Sequence, residues 1–308
     1  MKQNYWGMVI IMGVCPNCGS WVDEGDVCGC CGGSGSYSYE DDDDEISFTE
    51  IQSEKSRYSR KAWDLYMDFR DEEALYYIDL ALDLDIGDSG NWNRKAIILE
   101  SLKRYPESLQ CYDASLKRRR SATVMDNKAR MLYAWACDLL EESKELPDGR
   151  YLLHKARKKI SQSMDSLSPD TSEDLNKYVR LRDSIDFYTD YENKFHSKLE
   201  ILKKYDKSEL FTLTGKRFYQ NSVVLTEAMA LKLVKEKDNE FDSDAIAVYA
   251  EGEKIGYAAN NNYTCYELTS QASELKDKIP DICEAEYLFY IDRYAEIQYH
   301  IARIIKED

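Results

Sequence analysis

Between residues 61 and 140 the sequence repeats itself at a nearly fixed interval. "KAWDLYMDFRDEEALYYIDLALDLD" starts at Lys61, "KAIILESLKRYPESLQCYDASLKRR" at Lys95 and "KARMLYAWACDLL" at Lys128, spacings of 34 and 33 residues. Ala62, Ala96 and Ala129 fall at one position of the repeat, and Leu65, Leu99 and Leu132 at another. Ala74 matches Ser108, Ile78 matches Tyr112 and Ala81 matches Ser115. A period of this length is one helix–turn–helix unit, which cannot bury its apolar face alone and must stack on its neighbours. A small residue in each helix lets partner helices approach, and the large ones fill the space between them. Residues 48–207 hold few glycines or prolines and keep a helical apolar rhythm, so an all-α stack is expected there.

The repeat resembles the tetratricopeptide family. The best copy is "NWNRKAIILESLKRYPESLQCYDASLK", where Trp92, Ala96, Leu99, Tyr105, Tyr112 and Ser115 occupy the family's large and small positions. The third copy departs from the pattern: "ESKELPDGR" separates its helices, and the second of these, Tyr151 to Met164, is only loosely similar. Ser168-Pro169-Asp170 then precedes a long helix expected from Thr171 to about Tyr205, with Thr171 or Ser172 as its cap. The resemblance implies a concave groove that takes a peptide of a protein partner; a spacer or a self-association surface is the alternative. The basic "LKRRR" at Leu116–Arg120 suits a helix C-terminus, where cations complement the dipole, better than a phosphate site.

Ahead of the repeats, "CPNCGSWVDEGDVCGCCGG" places five of the nine cysteines between residues 15 and 31. Cys15/Cys18 and Cys28/Cys31 form two CxxCG units. A CxxC turn brings both sulfurs to one side, and two such turns supply the four soft ligands of a tetrahedral Zn2+. The segment resembles the short zinc ribbons at the N-termini of many prokaryotic proteins. The expected ligands are Cys15, Cys18, Cys28 and Cys31, with Cys30 spare; a register using Cys30 breaks the CxxCG form. A disulfide framework would call for a secretory context, and a thioredoxin-type site for one CxxC in a βαβ unit. The loop "SWVDEGDV" carries no basic residue, so the ribbon is expected to be structural or to touch protein. The apolar run Tyr5–Val14 is half of what a spanning helix needs, about 20 residues, and no small-residue cleavage site follows it. Met12 is a second candidate start. A cytoplasmic protein is expected. "GSGSYSYEDDDDE" then reads as a solvated, flexible linker.

From Ser208 onward short alternating runs appear: "LFTLTGKRFY", "ALKLVKE", "DAIAVYA", "KIGYA", "AEYLFYI" and "AEIQYHIARI". A helical stretch at about Tyr263–Lys278 interrupts them. An α+β barrel of about 100 residues is expected. Here "TGKRFY" followed by "ALKLVKEKDNEFDSDAIAVYAEGEKIGYAA" resembles a HIRAN domain, through Gly215, Arg217, Phe218, Glu236, Asn239, Phe241, Asp242, Ala245, Ile246, Val248, Ile255, Gly256 and Tyr257. Asn239, Asp244, Ala245 and Ile246 read as fold-maintaining. The resemblance implies an OB-like pocket that holds the 3′-hydroxyl end of single-stranded DNA. Its nucleic-acid-binding residues map to Arg217, Phe218, Phe241, Asp242 and Tyr257. Aromatic faces can stack on bases, Arg217 can hold a phosphate and Asp242 can accept from a terminal hydroxyl. Tyr257 fits the family pattern of Tyr or His after the glycine, but a DNA-end-binding member of the family has tyrosine at the Phe218 position, histidine at the Tyr257 position and a basic residue near the Asn260 position.

Charge bounds the reading. The chain carries a net −17, and residues 208–308 hold 11 Lys and Arg against 19 Asp and Glu, a net of −8. General electrostatic attraction to nucleic acid is thereby excluded, though a small local site is not. "TLTGKRF" lacks the upstream glycine and the Ser/Thr of a phosphate loop. His154, His196 and His300 are scattered, with His154 and His196 expected at a surface or in the groove. Cys111, Cys137, Cys265 and Cys283 read as small apolar groups. No catalytic constellation emerges. The expected architecture is multidomain: zinc ribbon 12–33, acidic Gly/Ser linker 34–47, tetratricopeptide-like helices 48–207 and an OB-like HIRAN β-barrel 208–308. The expected function is a non-catalytic adaptor whose HIRAN domain binds a nucleic-acid end, the 3′ end of single-stranded DNA, and whose repeats recruit a protein. The alternative is a protein–protein scaffold with no nucleic-acid role.

Overall fold

The computed structural model describes residues 12–14, 21–23, 48–219, 223–292, 294 and 297–306. The chain divides into Met1–Glu54 and Lys55–Asp308. In the first unit, β1 (Met12–Val14) pairs antiparallel with β2 (Trp21–Asp23), in the register Met12 to Asp23 and Val14 to Trp21. The expected zinc ligands Cys15, Cys18, Cys28 and Cys31 lie outside the described residues, as does the linker.

Seven helices follow: α1 (Phe48–Met67), α2 (Asp71–Leu84), α3 (Ser89–Ser101), α4 (Tyr105–Arg118), α5 (Ala122–Glu145), α6 (Arg150–Ser166) and α7 (Leu175–Leu202). The first two turns between paired helices repeat atom for atom at the sequence period. Phe69 and Lys103 take positive φ of 60° and 57°, which ends a helix by leaving its path. The next residue reaches back in each case: the Arg70 N–H donates to the Leu65 carbonyl and the Arg104 N–H to that of Leu99, both at 2.9 Å. Arg70 then grips Glu73, and Arg104 grips Glu107, through two hydrogen bonds each.

The small residues of the repeat are where helices touch. Ala62, Ala74, Ala81, Ala96 and Ala129 are fully buried. Ser108 Oγ donates to the Ala96 carbonyl at 2.8 Å and Ser163 Oγ to that of Ala129, closing the second and third hairpins at equivalent points. Ile98 of α3 joins Leu65 of α1 and Ile78 of α2 in one cluster. Tyr178, Leu181 and Ile185 cap the stack by packing α7 on Leu153, Ala156 and Ile160 of α6. α7 starts at Leu175, later than Thr171: Asp174 is the cap and accepts from the Asn176 N–H, while Thr171 accepts from Glu173 in the preceding turn. His196 on α7 is largely buried beside Glu192.

A closed six-stranded barrel completes the second unit. Its strands are β3 (Leu210–Thr214), β4 (Ala230–Lys235), β5 (Ile246–Ala250), β6 (Glu253–Ala258), β7 (Ile282–Ile291) and β8 (Tyr299–Ile304), in the order β3-β6-β5-β4-β7-β8 with antiparallel neighbours. Phe211, Leu213, Leu233, Ile246, Val248, Ile255 and Tyr287 fill it. The helix expected over 263–278 shrinks to α8 (Ala272–Leu275). Asn261 is the reason: its Oδ1 accepts from the N–H groups of Tyr263 and Thr264, and such local bonds compete with helix formation. α7 is fastened to the barrel. Leu202 packs with Leu210, Phe289, Ile291 and Ile301, Tyr191 donates to Asp292 at 2.7 Å, and Lys198 donates to the Tyr290 carbonyl at 2.7 Å. No helix among the described residues is long and apolar enough to cross a membrane.

Candidate nucleic-acid interface

The barrel's polar face is built where β6 runs between β3 and β5. Gly256 is required at that point. A Cβ on it would lie 2.3 Å from the Thr214 carbonyl oxygen, so only a residue without a side chain lets the two strands close. The next residue, Tyr257, pairs with Thr214 on one side and Ala247 on the other.

Tyr257 sits in a compact network. Its hydroxyl accepts from Lys254 Nζ at 2.6 Å and donates to Glu236 Oε2 at 3.1 Å. Lys254 also pairs with Glu236 at 2.6 Å. Burial works against the Lys254 charge, but the bonds to Glu236 and Tyr257 outweigh it and hold its pKa above the ordinary lysine value. Burial likewise opposes the Glu236 charge, and Lys254, Asn239 and Tyr257 together outweigh it, leaving that carboxyl below its usual range. The Tyr219 ring lies 6.3 Å from that of Tyr257.

The loop from Glu236 to Ala245 is closed by its own side chains. Asn239 Oδ1 accepts from the N–H groups of Phe241 and Asp242, both at 3.0 Å, and its Nδ2 donates to Glu236. Asp242 Oδ1 accepts from the Asp244 N–H at 2.9 Å. The side chains of Asn239 and Asp242 thus hold the loop, the turn chemistry usual for such residues, while the Asp244 carboxylate pairs with Lys276 at 2.7 Å. Asp242 faces a second partner: Asn260 Nδ2 bonds both of its carboxylate oxygens. Asn260 is oriented in turn by the Ser273 N–H, which donates to its Oδ1 at 2.9 Å.

The five residues singled out by sequence are placed as follows. Asp242 and Tyr257 are linked through Asn239, with Asn239 Nδ2 3.4 Å from the Tyr257 hydroxyl. Phe241, next to Asp242, is 96% exposed, and Phe218, next to Tyr219, is 72% exposed. Arg217 is exposed, lies over the Phe218 ring at 4.9 Å and makes no ion pair among the described residues. Gly215 directs this segment outward by taking φ of 78° at the end of β3. Arg217 forms no hydrogen bond to Asp242 or Tyr257. Sequence reasoning missed the Lys254–Glu236 pair at the centre of the network, and the role of Asn260. The signal for Lys254 was a lone cation three residues before Tyr257, in a strand whose Ile255, Gly256 and Ala258 are buried.

The face therefore offers a carboxylate acceptor with fixed orientation, one unpaired guanidinium and exposed aromatic rings. Elsewhere among the described residues, the ligand atoms of Asp148, Glu192 and His196 lie within 4.8 Å of one another. Arg150 already binds both oxygens of Asp148, at 2.9 and 2.7 Å, and holds its carboxyl well below the usual range, so this cluster is a packing contact between the α5–α6 connection and α7.

Residues 209–278 match the HIRAN domain family. No curated protein matches the chain. Among solved structures, the type III secretion chaperone SycD of Yersinia enterocolitica in complex with a peptide of the translocator YopD is 15% identical, with a TM-score of 0.32, covering 47% of this chain and 98% of that one. A second structure of that translocator chaperone is 14% identical, with a TM-score of 0.28, covering 48% of this chain and 87% of that one. MamA from Desulfovibrio magneticus RS-1 is 16% identical, with a TM-score of 0.27, covering 49% and 96%. At those scores the overlap carries no conclusion about this chain.

Proposed function

We propose that the barrel binds a nucleic-acid end, single-stranded DNA with a free 3′-hydroxyl, and that the helical stack recruits a protein partner, the chain acting as an adaptor without catalysis. The observation that carries this reading is Asp242, held by Asn260 in a HIRAN domain beside the exposed ring of Phe241. A carboxylate accepts from a neutral hydroxyl and repels a terminal phosphate. Arg217, without an ion pair among the described residues, supplies a cation for a backbone phosphate, and Phe218 and Phe241 supply stacking surfaces. The rest of the network is neutralised internally by Lys254 and Glu236, which fits recognition of an end rather than a long electrostatic track. The test is fluorescence anisotropy of the whole chain with oligonucleotides ending in 3′-hydroxyl or 3′-phosphate. Tighter binding of the hydroxyl end, weakened by Arg217→Ala, is expected. Binding to neither, or equal binding indifferent to Arg217→Ala, rejects it.

For the N-terminal cysteines the proposal is a structural zinc site of Cys15, Cys18, Cys28 and Cys31. Four thiolates in two CxxC pairs are the donor set zinc prefers, and β1 and β2 pair on either side of the first CxxC in the sequence. The metal would supply folding energy, not reactivity.

The net charge of −17 favours a second reading, a protein scaffold with no nucleic-acid role. The groove of about 500 Å³ between α1, α3, α4 and α5 is where a peptide would lie, lined by Tyr66, Ile97, Glu100, Tyr105, Asn127 and Arg130. Partners that survive nuclease treatment in a pull-down and depend on Arg130 would favour this reading.

A further inference from the structure

Of the aromatic side chains among the described residues, four are more than 70% exposed: Phe69, Phe218, Phe241 and Tyr263. Three of these lie within three positions in sequence of Tyr219, Asp242 or Asn260, which belong to the barrel's polar face. Phe218 and Phe241 already have a place in the proposed site. Tyr263, 88% exposed, does not.

Its backbone is held firmly. Asn260, Asn261 and Asn262 precede it, and each has a different task. Asn260 bonds Asp242. Asn261 Oδ1 accepts from the Tyr263 N–H, the Thr264 N–H and Thr264 Oγ1, each at 3.0 Å. Asn262 Oδ1 accepts from Gln271 Nε2 at 2.7 Å. The Tyr263 side chain itself has no hydrogen-bond or ring partner among the described residues. A scaffold is thus spent on fixing a tyrosine whose ring is left in water. Leaving a large ring exposed forgoes its burial energy, which is informative where such rings gather around one polar group. Three residues reach at most about 11 Å, so Tyr263 stands within that span of Asn260 and the carboxylate it holds.

We infer that Tyr263 is a second base-stacking wall of the site, facing the nucleotides next to the 3′ end whose hydroxyl Asp242 accepts. The inference rests on the proposed function and extends it. Phe241 takes one base from the loop before β5, and Tyr263 takes another from the loop after β6. The two loops meet at the Asp242–Asn260 contact, so terminus and bases are read by one rigid unit. Stacking needs only a flat ring, so the hydroxyl of Tyr263 is dispensable and base identity matters little.

The test uses the whole chain and single-stranded oligonucleotides carrying 2-aminopurine at the last or next-to-last position before a 3′-hydroxyl. Tyr263→Ala should weaken binding about tenfold and relieve quenching of the probe at one of these positions. Tyr263→Phe should restore both to within about twofold of the unaltered chain. Because the side chain is exposed, the melting temperature should not move, which separates lost stacking from lost fold. If the unaltered chain binds and Tyr263→Ala binds equally well, the inference is wrong while the proposed function stands. If the unaltered chain binds no oligonucleotide, both fall.

Discussion

Asn260 donates through Nδ2 to both carboxylate oxygens of Asp242, at 3.1 Å to Oδ1 and 2.9 Å to Oδ2. The amide is neutral, so the carboxylate keeps its full charge while its plane is fixed. Asn260→Lys would place an ammonium there and cancel that charge. The preference for a 3′-hydroxyl over a 3′-phosphate end should then fall several-fold, towards parity, as charge pairs near a surface are worth about 1 kcal/mol or less. Anisotropy titrations of the two ends give the ratio. A ratio equal to that of the unaltered chain would show that the Asp242 charge does not read the terminus.

Gly256→Ala should destabilise the barrel by about 3 kcal/mol. The added Cβ meets the Thr214 carbonyl oxygen at 2.3 Å and the Leu213 side-chain methyl at 2.9 Å; the methyl can rotate away, but the carbonyl cannot move without opening β3 from β6. Backbone φ of 157° adds to the cost for any residue with a side chain. Urea unfolding followed by tryptophan-independent far-UV dichroism measures it. A loss below about 1 kcal/mol would mean that the strands separate more easily than their pairing indicates.

Much of this architecture could be read from residue spacing, and the reasons differ by element. The helical pairs were legible because Ala62, Ala96 and Ala129 recur where helices cross, and a crossing tolerates only a small residue. The six strands were legible because Leu231 and Leu233, or Ile246 and Val248, alternate with residues of the other face. Site chemistry was less legible. The Lys254–Glu236 pair joins residues 18 apart through barrel closure, which no local pattern encodes. Asn260–Asp242 is of the same kind. The Tyr263–Lys278 helix was misread because its apolar spacing is helical, while Asn261 gives the backbone N–H groups nearer acceptors.

Ala129→Leu tests the crossing of α5 and α6. Ala129 is fully buried, and its carbonyl accepts from Ser163 across the interface. Three added carbons force the helices apart there, at a cost of about 2–3 kcal/mol. Arg130→Leu, one residue on and exposed, removes a surface ion pair to Glu173 and should cost about 1 kcal/mol or less. Thermal unfolding of both variants makes the comparison, and similar losses would argue against a close crossing at Ala129.

His300 on β8 should titrate below the ordinary histidine value of 6.5. Burial disfavours its charged form, the nearby Lys216 adds repulsion, and Nδ1 lies 2.9 Å from the Tyr287 hydroxyl. An imidazole with a depressed pKa contributes stability that is fully present above the unfolded value and is lost as pH falls through the folded one. The melting temperature should therefore decline below about pH 6.5 by more in the unaltered chain than in His300→Gln. With only three histidines in the chain, nitrogen-detected NMR titration resolves each ring directly. A His300 ring that titrates at or above 6.5 would contradict its buried setting.

The N-terminal cysteines make the last prediction. If Cys15, Cys18, Cys28 and Cys31 form one tetrahedral site, purified protein should carry about one zinc per chain. Cobalt substitution should give the visible bands of a tetrathiolate centre. Cys15→Ser with Cys18→Ser should remove the metal, because two remaining thiolates bind too weakly to hold it against dilution. Cys30→Ser should leave the content unchanged, since that sulfur is outside the CxxCG pairs. Zinc retained after the double substitution would reject the assignment, and zinc lost with Cys30→Ser would move the fourth ligand one residue back. Chelation should leave the melting of the barrel and the helices unchanged, because none of the four ligands belongs to the unit Lys55–Asp308. A barrel transition that shifts on chelation would show that the metal supports more than its own small fold.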